Sequence, residues 1–234
     1  MESEEFSNET AEYERKITRA VIEGDVEKLR ELCNTLPKGF NVNFMIKCLN
    51  TTVLMNAVIM NDYPSAEILC IHGADVNLGT YNSYKAIHWV CEKQNNPKML
   101  HLLINHGANI NENWLHGQRA IHLALKHSRT ENAEVLLDAG ADISGYIQLD
   151  NERCSKISTL CLAAIKCPDL VPKFLKQGAN PNEVHSTSGS SVLGHVLEND
   201  GDKEAVKSLI QAGACITKGS RGKTAIQCCK NLGK

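Results

Sequence analysis

Residues Ile71–Asn77 read IHGADVN, and the same shape closes an apolar helical pattern four more times: NHGANIN at 105–111, DAGADIS at 138–144, KQGANPN at 176–182 and QAGACIT at 211–217. A degenerate sixth copy, PKGFNVN, stands at 37–43. The shared glycines are Gly39, Gly73, Gly107, Gly140, Gly178 and Gly213, with spacings of 34, 34, 33, 38 and 35 residues. A period in this range marks a chain built by stacking one small unit, because no single unit can bury its apolar face alone.

A second signal runs in step with the first, about a dozen residues after each glycine. It reads TVLMNA from Thr52, KAIHWV from Lys85, RAIHLA from Arg119, STLCLA from Ser158, SVLGHV from Ser191 and TAIQCC from Thr224. Together the two motifs resemble the ankyrin repeat, whose unit opens a first helix with T-P-L-H-x-A-A and ends a second with V-x-x-L-L-x-x-G-A-D-V-N. The resemblance covers roughly residues 11–234. It implies an all-α ankyrin-repeat solenoid, in which helix-turn-helix units carry β-hairpin fingers. About five full repeats are expected between an N-terminal cap repeat and a C-terminal half repeat. Residues 1–10 read as a disordered acidic polar tail, and 11–234 as a single ankyrin-repeat domain.

Each residue of the motif has a physical task. The glycine takes the left-handed conformation that ends the second helix, and the alanine beside it lets neighbouring units approach. His88 and His122 occupy the histidine slot, which in the family bonds backbone and ties one repeat to the next. Met55, Cys161, Gly194 and Gln227 stand there in the other units, so those repeats are expected to be less well tied. Residues 11–36 read as two amphipathic helices divided at Gly24-Asp25, a fitting cap, whereas the last repeat stops after one helix. That end is expected to be covered by a partner or completed by missing sequence.

Composition narrows the function. The chain has 234 residues, 42% of them hydrophobic, enough to bury a core, and a formal net charge of -2, which offers no bulk attraction to phosphate backbones or anionic membranes. Nucleic acid is therefore disfavoured as a partner and membrane insertion is not expected. The ten cysteines fall mostly inside helical apolar patterns at spacings that match no zinc site, so they read as reduced core thiols in a chain of the cytosol, with the nucleus as a second compartment, and not as a secreted protein. No nucleophile elbow, P-loop or H-E-x-x-H is present. No catalytic residue, metal or cofactor is expected, and the chain does not read as an enzyme.

What remains is recognition. Within the first helix the leucine and both alanines share the face turned to the second helix, while positions two, five and six residues after the leucine fall opposite and, in an ankyrin stack, line a concave groove. Those positions hold Ile59, Met60, Trp89, Lys93, Leu123, Lys126, His127, Leu162 and Ile165, an apolar strip with a basic edge. The fingers add Tyr81, Tyr84, Trp114, Leu115 and His116, and the longest finger, residues 144–157, adds Tyr146 and Ile147. Aromatic side chains concentrate binding energy at interfaces. The expected function is thus non-catalytic protein recognition by a scaffold, adaptor or competitive inhibitor, through groove and fingers, with Trp89 as an interface anchor. Two alternatives share the fold: a ligand-binding ankyrin regulator of nucleotides or oligonucleotides, and the substrate receptor of a ubiquitin ligase assembly. In the family the hairpin asparagine is also a substrate for hydroxylation, which here points to Asn77 and Asn111.

Overall fold

The computed structural model describes residues 2–80, 82–148, 156–184, 190–198 and 201–215, and for residues 2–8 and 116 the backbone alone. The chain forms two compact units, Met1–Asn109 and Ile110–Lys234.

The first unit opens with α1 (Glu2–Glu23), α2 (Val26–Asn34) and a short antiparallel hairpin of β1 (Met45–Ile46) and β2 (Thr51–Thr52). Two helix pairs follow: α3 (Val53–Ile59) with α4 (Tyr63–Ile71), and α5 (Ala86–Lys93) with α6 (Pro97–Asn105). The first helices α1, α3 and α5 pack side by side, and α2 packs on α4. Helix α1 reaches back to Glu2 through the stretch read as a tail. Along it, Glu12–Lys16 and Arg19–Glu23 pairs lie one turn apart, the spacing that supports an exposed helix. The apolar side chains of the motif meet inside the unit, where Ile17, Leu29, Leu54, Leu69, Ile87, Met99, Leu100 and Leu103 are fully buried.

Each second helix starts on a side chain that accepts a backbone N–H from its first turn: Asp25 from Lys28, Asp62 from Ser65, Asn96 from Met99. In α4 and α6 a proline in that turn removes a donor that would otherwise go unsatisfied. The helices stop at the motif glycine. Gly73, at φ 86°, lets its own N–H reach Cys70 O and that of Ala74 reach Leu69 O.

The second unit repeats the plan with α7 (Ala120–Lys126) and α8 (Thr130–Asp138), the hairpin of β3 (Tyr146–Gln148) and β4 (Lys156–Ser158), α9 (Thr159–Lys166) and α10 (Val171–Lys176), and α11 (Val192–Glu198) with α12 (Lys203–Gln211). First helices again pack on first helices, α7 on α9 on α11, and α10 packs on α12. The half repeat expected from Thr224 lies outside the described residues.

Two sets of bonds tie repeat to repeat. The first is a ladder of hairpin asparagines, each gripping the next hairpin at both ends of its amide. Asn43 donates to Gly73 O and accepts from Asp75 N; Asn77 does the same with Gly107 and Asn109, Asn111 with Gly140 and Asp142, and Asn182 with Gly213 and Cys215. Ser144 stands where the ladder would place another asparagine, and it bonds back to Asp142 instead.

The second set starts at the histidine slot. His88 and His122 are buried, and the Nδ1 of each accepts the backbone N–H of the residue three before it, Lys85 or Arg119. The Nε2 of His122 meets Thr159 Oγ1 of the next repeat at 3.0 Å. Burial, with Arg119 nearby, pushes the His122 imidazole down to about 4, so it is neutral at neutral pH. Where the histidine is missing, a hydroxyl caps the helix: Thr52 accepts from Met55 N, Ser158 from Cys161 N, and Ser191 from Gly194 N. Those repeats keep a capped first helix, but a side chain capping its own helix makes no reach to the neighbour.

Candidate recognition surface

Inside each unit the middle first helix, α3 or α9, has neighbours on three sides, because it packs on its own second helix and on the first helices before and after it. That arrangement decides which motif positions stay open. The position two after the leucine is closed in three repeats, where Asn56 is buried and Leu123 and Leu162 are 2% and 1% exposed, and half-buried at Trp89 and His195. Both leucines, expected in the groove, are core residues. The helical wheel places this position away from the second helix, but that direction is occupied by the adjacent repeat. Ile147, expected on the long finger, is also core at 1% exposed, because strand alternation in β3 turns it inward and leaves Tyr146 outside.

Positions five and six after the leucine stay open. In the first unit Met60 is exposed and Ile59 half-buried at the end of α3, and Lys93 is exposed at the end of α5. In the second unit Lys126, His127 and Ile165 are each half-buried, at the ends of α7 and α9.

Trp89 shares its slot with Asn56 and Leu123 but is too large to be enclosed there, and it is half-buried. Tyr84 folds down from its finger onto the indole, ring centroids 6.3 Å apart and nearly perpendicular, and its hydroxyl donates to Glu92 Oε2 at 2.5 Å. Burial and then the Glu92 bond push the Tyr84 phenol far above its ordinary value, so it stays a donor. Lys93 Nζ in turn pairs with Glu92 at 2.5 Å. The indole N–H of Trp89 is buried with no hydrogen-bond partner among the described residues. Trp89 is therefore a shielded aromatic with an unused donor, neither enclosed like Leu103 nor open like Met60.

The fingers divide in the same way. Leu115 and Tyr146 are exposed, and Trp114 is half-buried on a loop closed by its own N–H to Gln118 O. Tyr81 and the His116 side chain lie outside the described residues. Asn77 and Asn111, expected as modification sites, are rungs of the ladder, so an enzyme acting on either must first open that bracket.

Exposed residues not legible in the motif include Ile22, at the end of α1, and Met45 and Leu49, on the first hairpin. Ile22 occupies in α1 the place that Ile59 occupies in α3, as alignment of ITRAVIEGD (17–25) with LMNAVIMND (54–62) shows. The signal was present, but it lay in the repeat read as a polar cap.

Among the described residues no group of three or more His, Cys, Asp or Glu side chains is placed to hold a metal ion, and no described helix is long and apolar enough to cross a membrane. Burial raises the Cys33 and Cys70 thiols to about 11 and that of Cys161 to about 12, which leaves them protonated and unreactive.

Residues 77–145 match the family model of ankyrin repeats in three copies. The ankyrin repeat domain of Bcl-3, a member of the IkappaB protein family, superposes with a TM-score of 0.72 at 25% identity, covering 91% of this chain and 92% of that one. This chain is an ankyrin-repeat protein. Among curated relatives, the B-cell lymphoma 3 protein homolog of Mus musculus is 34% identical over 105 residues, which are 44% of this chain and 23% of that protein. Transient receptor potential cation channel subfamily A member 1 of Homo sapiens is 24% identical over 201 residues, 84% of this chain and 18% of that protein. The chain thus spans about a fifth of the length of these curated relatives. Ankyrin repeats are a general protein-protein interaction module, and none of these matches indicates an enzyme family.

Proposed function

We propose that this ankyrin-repeat protein is a non-catalytic recognition module, acting as scaffold, adaptor or competitive inhibitor, and that it holds a protein partner on the open ends of its first helices and on its fingers. One observation carries the reading. In the first unit four large apolar side chains, Ile22, Met45, Leu49 and Met60, are 40–47% exposed on first helices and hairpin, whereas the second helices α2, α4 and α6 expose one, Ile71. Scattered apolar exposure is ordinary, but exposure concentrated on one set of elements of an otherwise filled unit supports an interaction site. Trp89 with Tyr84 supplies a rigid aromatic pair in the first unit, and the second unit, taken by itself, leaves Tyr146 and Leu115 exposed and Ile165 and the basic Lys126 half-buried. The buried thiols suit a reducing compartment, cytosol or nucleus.

The test is affinity capture with the intact chain and three surface variants of unchanged fold. Met60→Asp and Leu49→Asp are expected to lose the protein that the parent retains, and Ile71→Asp to keep it. Loss confined to Ile71→Asp would move the interface to the second helices and end this reading.

A further inference from the structure

We propose that the first hairpin docks an acidic protein segment, whose aliphatic or aromatic side chains seat on Met45 and Leu49 while its carboxylates meet Lys47 and Lys38. This rests on the recognition reading above and gives that partner a chemistry.

The apolar half comes from the hairpin's register. Met45 pairs with Thr52 and Ile46 with Thr51, so strand alternation buries Ile46 and leaves Met45 and Lys47 outside. The turn closes on itself, with the N–H groups of Leu49 and Asn50 both donating to Ile46 O, and Asn50 at φ 53° turns the chain back. Asn43, at the base, is held by the ladder to Gly73 and Asp75. Met45, Lys47 and Leu49 are thus displayed on a backbone fixed before any partner arrives, which spares an ordering cost on binding.

The charge comes from what the sequence leaves out. From Leu32 to Asn61 there is no acidic residue, although the whole chain carries more acid than base. In the two helices before this stretch, Lys16, Arg19, Lys28 and Arg30 each have a glutamate one turn away. Lys38 and Lys47 are exposed and have no acidic partner among the described residues. The neighbouring carboxylate, Asp75 on the following hairpin, accepts the N–H of Asn77. An apolar finger whose charges are all positive complements an acidic segment and repels a basic one.

The experiment selects random dodecapeptides on display against the full chain, then repeats the selection against Lys47→Glu and Leu49→Ser, both exposed positions checked for an unchanged thermal midpoint. The parent should enrich peptides that combine Asp or Glu with Leu, Ile or Phe. Their affinity should fall about tenfold in either variant and weaken with added salt, and Lys47→Glu should enrich Lys and Arg in place of Asp and Glu. Peptides without an acidic bias, acidic peptides held equally by both variants, or no enrichment at all would overturn the proposal. Peptides lost through Met60→Asp and indifferent to Lys47→Glu and Leu49→Ser would overturn the hairpin site while leaving the broader recognition reading intact.

Discussion

At the scale of single residues, the discriminating position is the one two after the motif leucine. Leu123→Ala is expected to cost about 2 to 5 kcal/mol, as much as Leu103→Ala, because both side chains leave a cavity in a closed core. Trp89→Phe should cost under about 1 kcal/mol, since it keeps a ring against Tyr84 and removes a buried N–H that has no partner among the described residues. Denaturant midpoints of the three variants rank them. A Trp89→Phe loss matching that of Leu123→Ala would make the tryptophan an enclosed core residue. Helical periodicity alone could not separate Trp89 from Leu123, because the wheel reports the face turned to the second helix and says nothing of the neighbouring repeat. Met60 and Lys93, which the wheel also places on that side, are exposed at the C-terminal ends of α3 and α5.

His122 sets a pH dependence. Its folded imidazole is pushed from an ordinary 6.5 down to about 4, so as pH falls through that window the unfolded chain takes up a proton that the native chain refuses. The unfolded state then binds more protons, and stability falls with falling pH, by about 3 kcal/mol once below both values. His122→Gln should lose the part of the stability slope that lies between about pH 6.5 and 4. An unchanged slope in that variant would show that His122 takes up its proton alike in the folded and unfolded chain.

At the scale of elements, the hairpins are held by side chains, since paired strands of two or three residues supply few backbone bonds. Asn77→Ala breaks both bonds to the next hairpin and is expected to cost about 1 to 3 kcal/mol. Ser158→Ala removes the hydroxyl that caps α9 and should cost about 1 kcal/mol. Chemical denaturation measures both, and a neutral Asn77→Ala would mean that the ladder follows the packing instead of holding it. The glycine positions, and with them the C-terminal ends of α4, α6, α8, α10 and α12, were readable from the recurring motif, because each answers a local backbone need. The hydroxyl caps were not, since Thr52, Ser158 and Ser191 acquire their meaning from the absence of a histidine three residues on. Ile22, Met45 and Leu49 escaped for a related reason: they lie in the N-terminal helix and first hairpin, where the motif is degenerate.

At the scale of the whole molecule, each repeat contributes its own core and its contacts with adjacent repeats, and what it leaves open is what a partner can use. The central claim is that a protein partner uses the first helices and fingers, and not the second helices. Amide hydrogen exchange of the chain, alone and saturated with its captured partner, tests this most directly. The account predicts added protection over β1, β2 and the ends of α1 and α3, residues 17–23 and 45–60, with α2, α4 and α6 unchanged. Protection gained on α2, α4 or α6, with residues 45–60 exchanging as in the free chain, would contradict it.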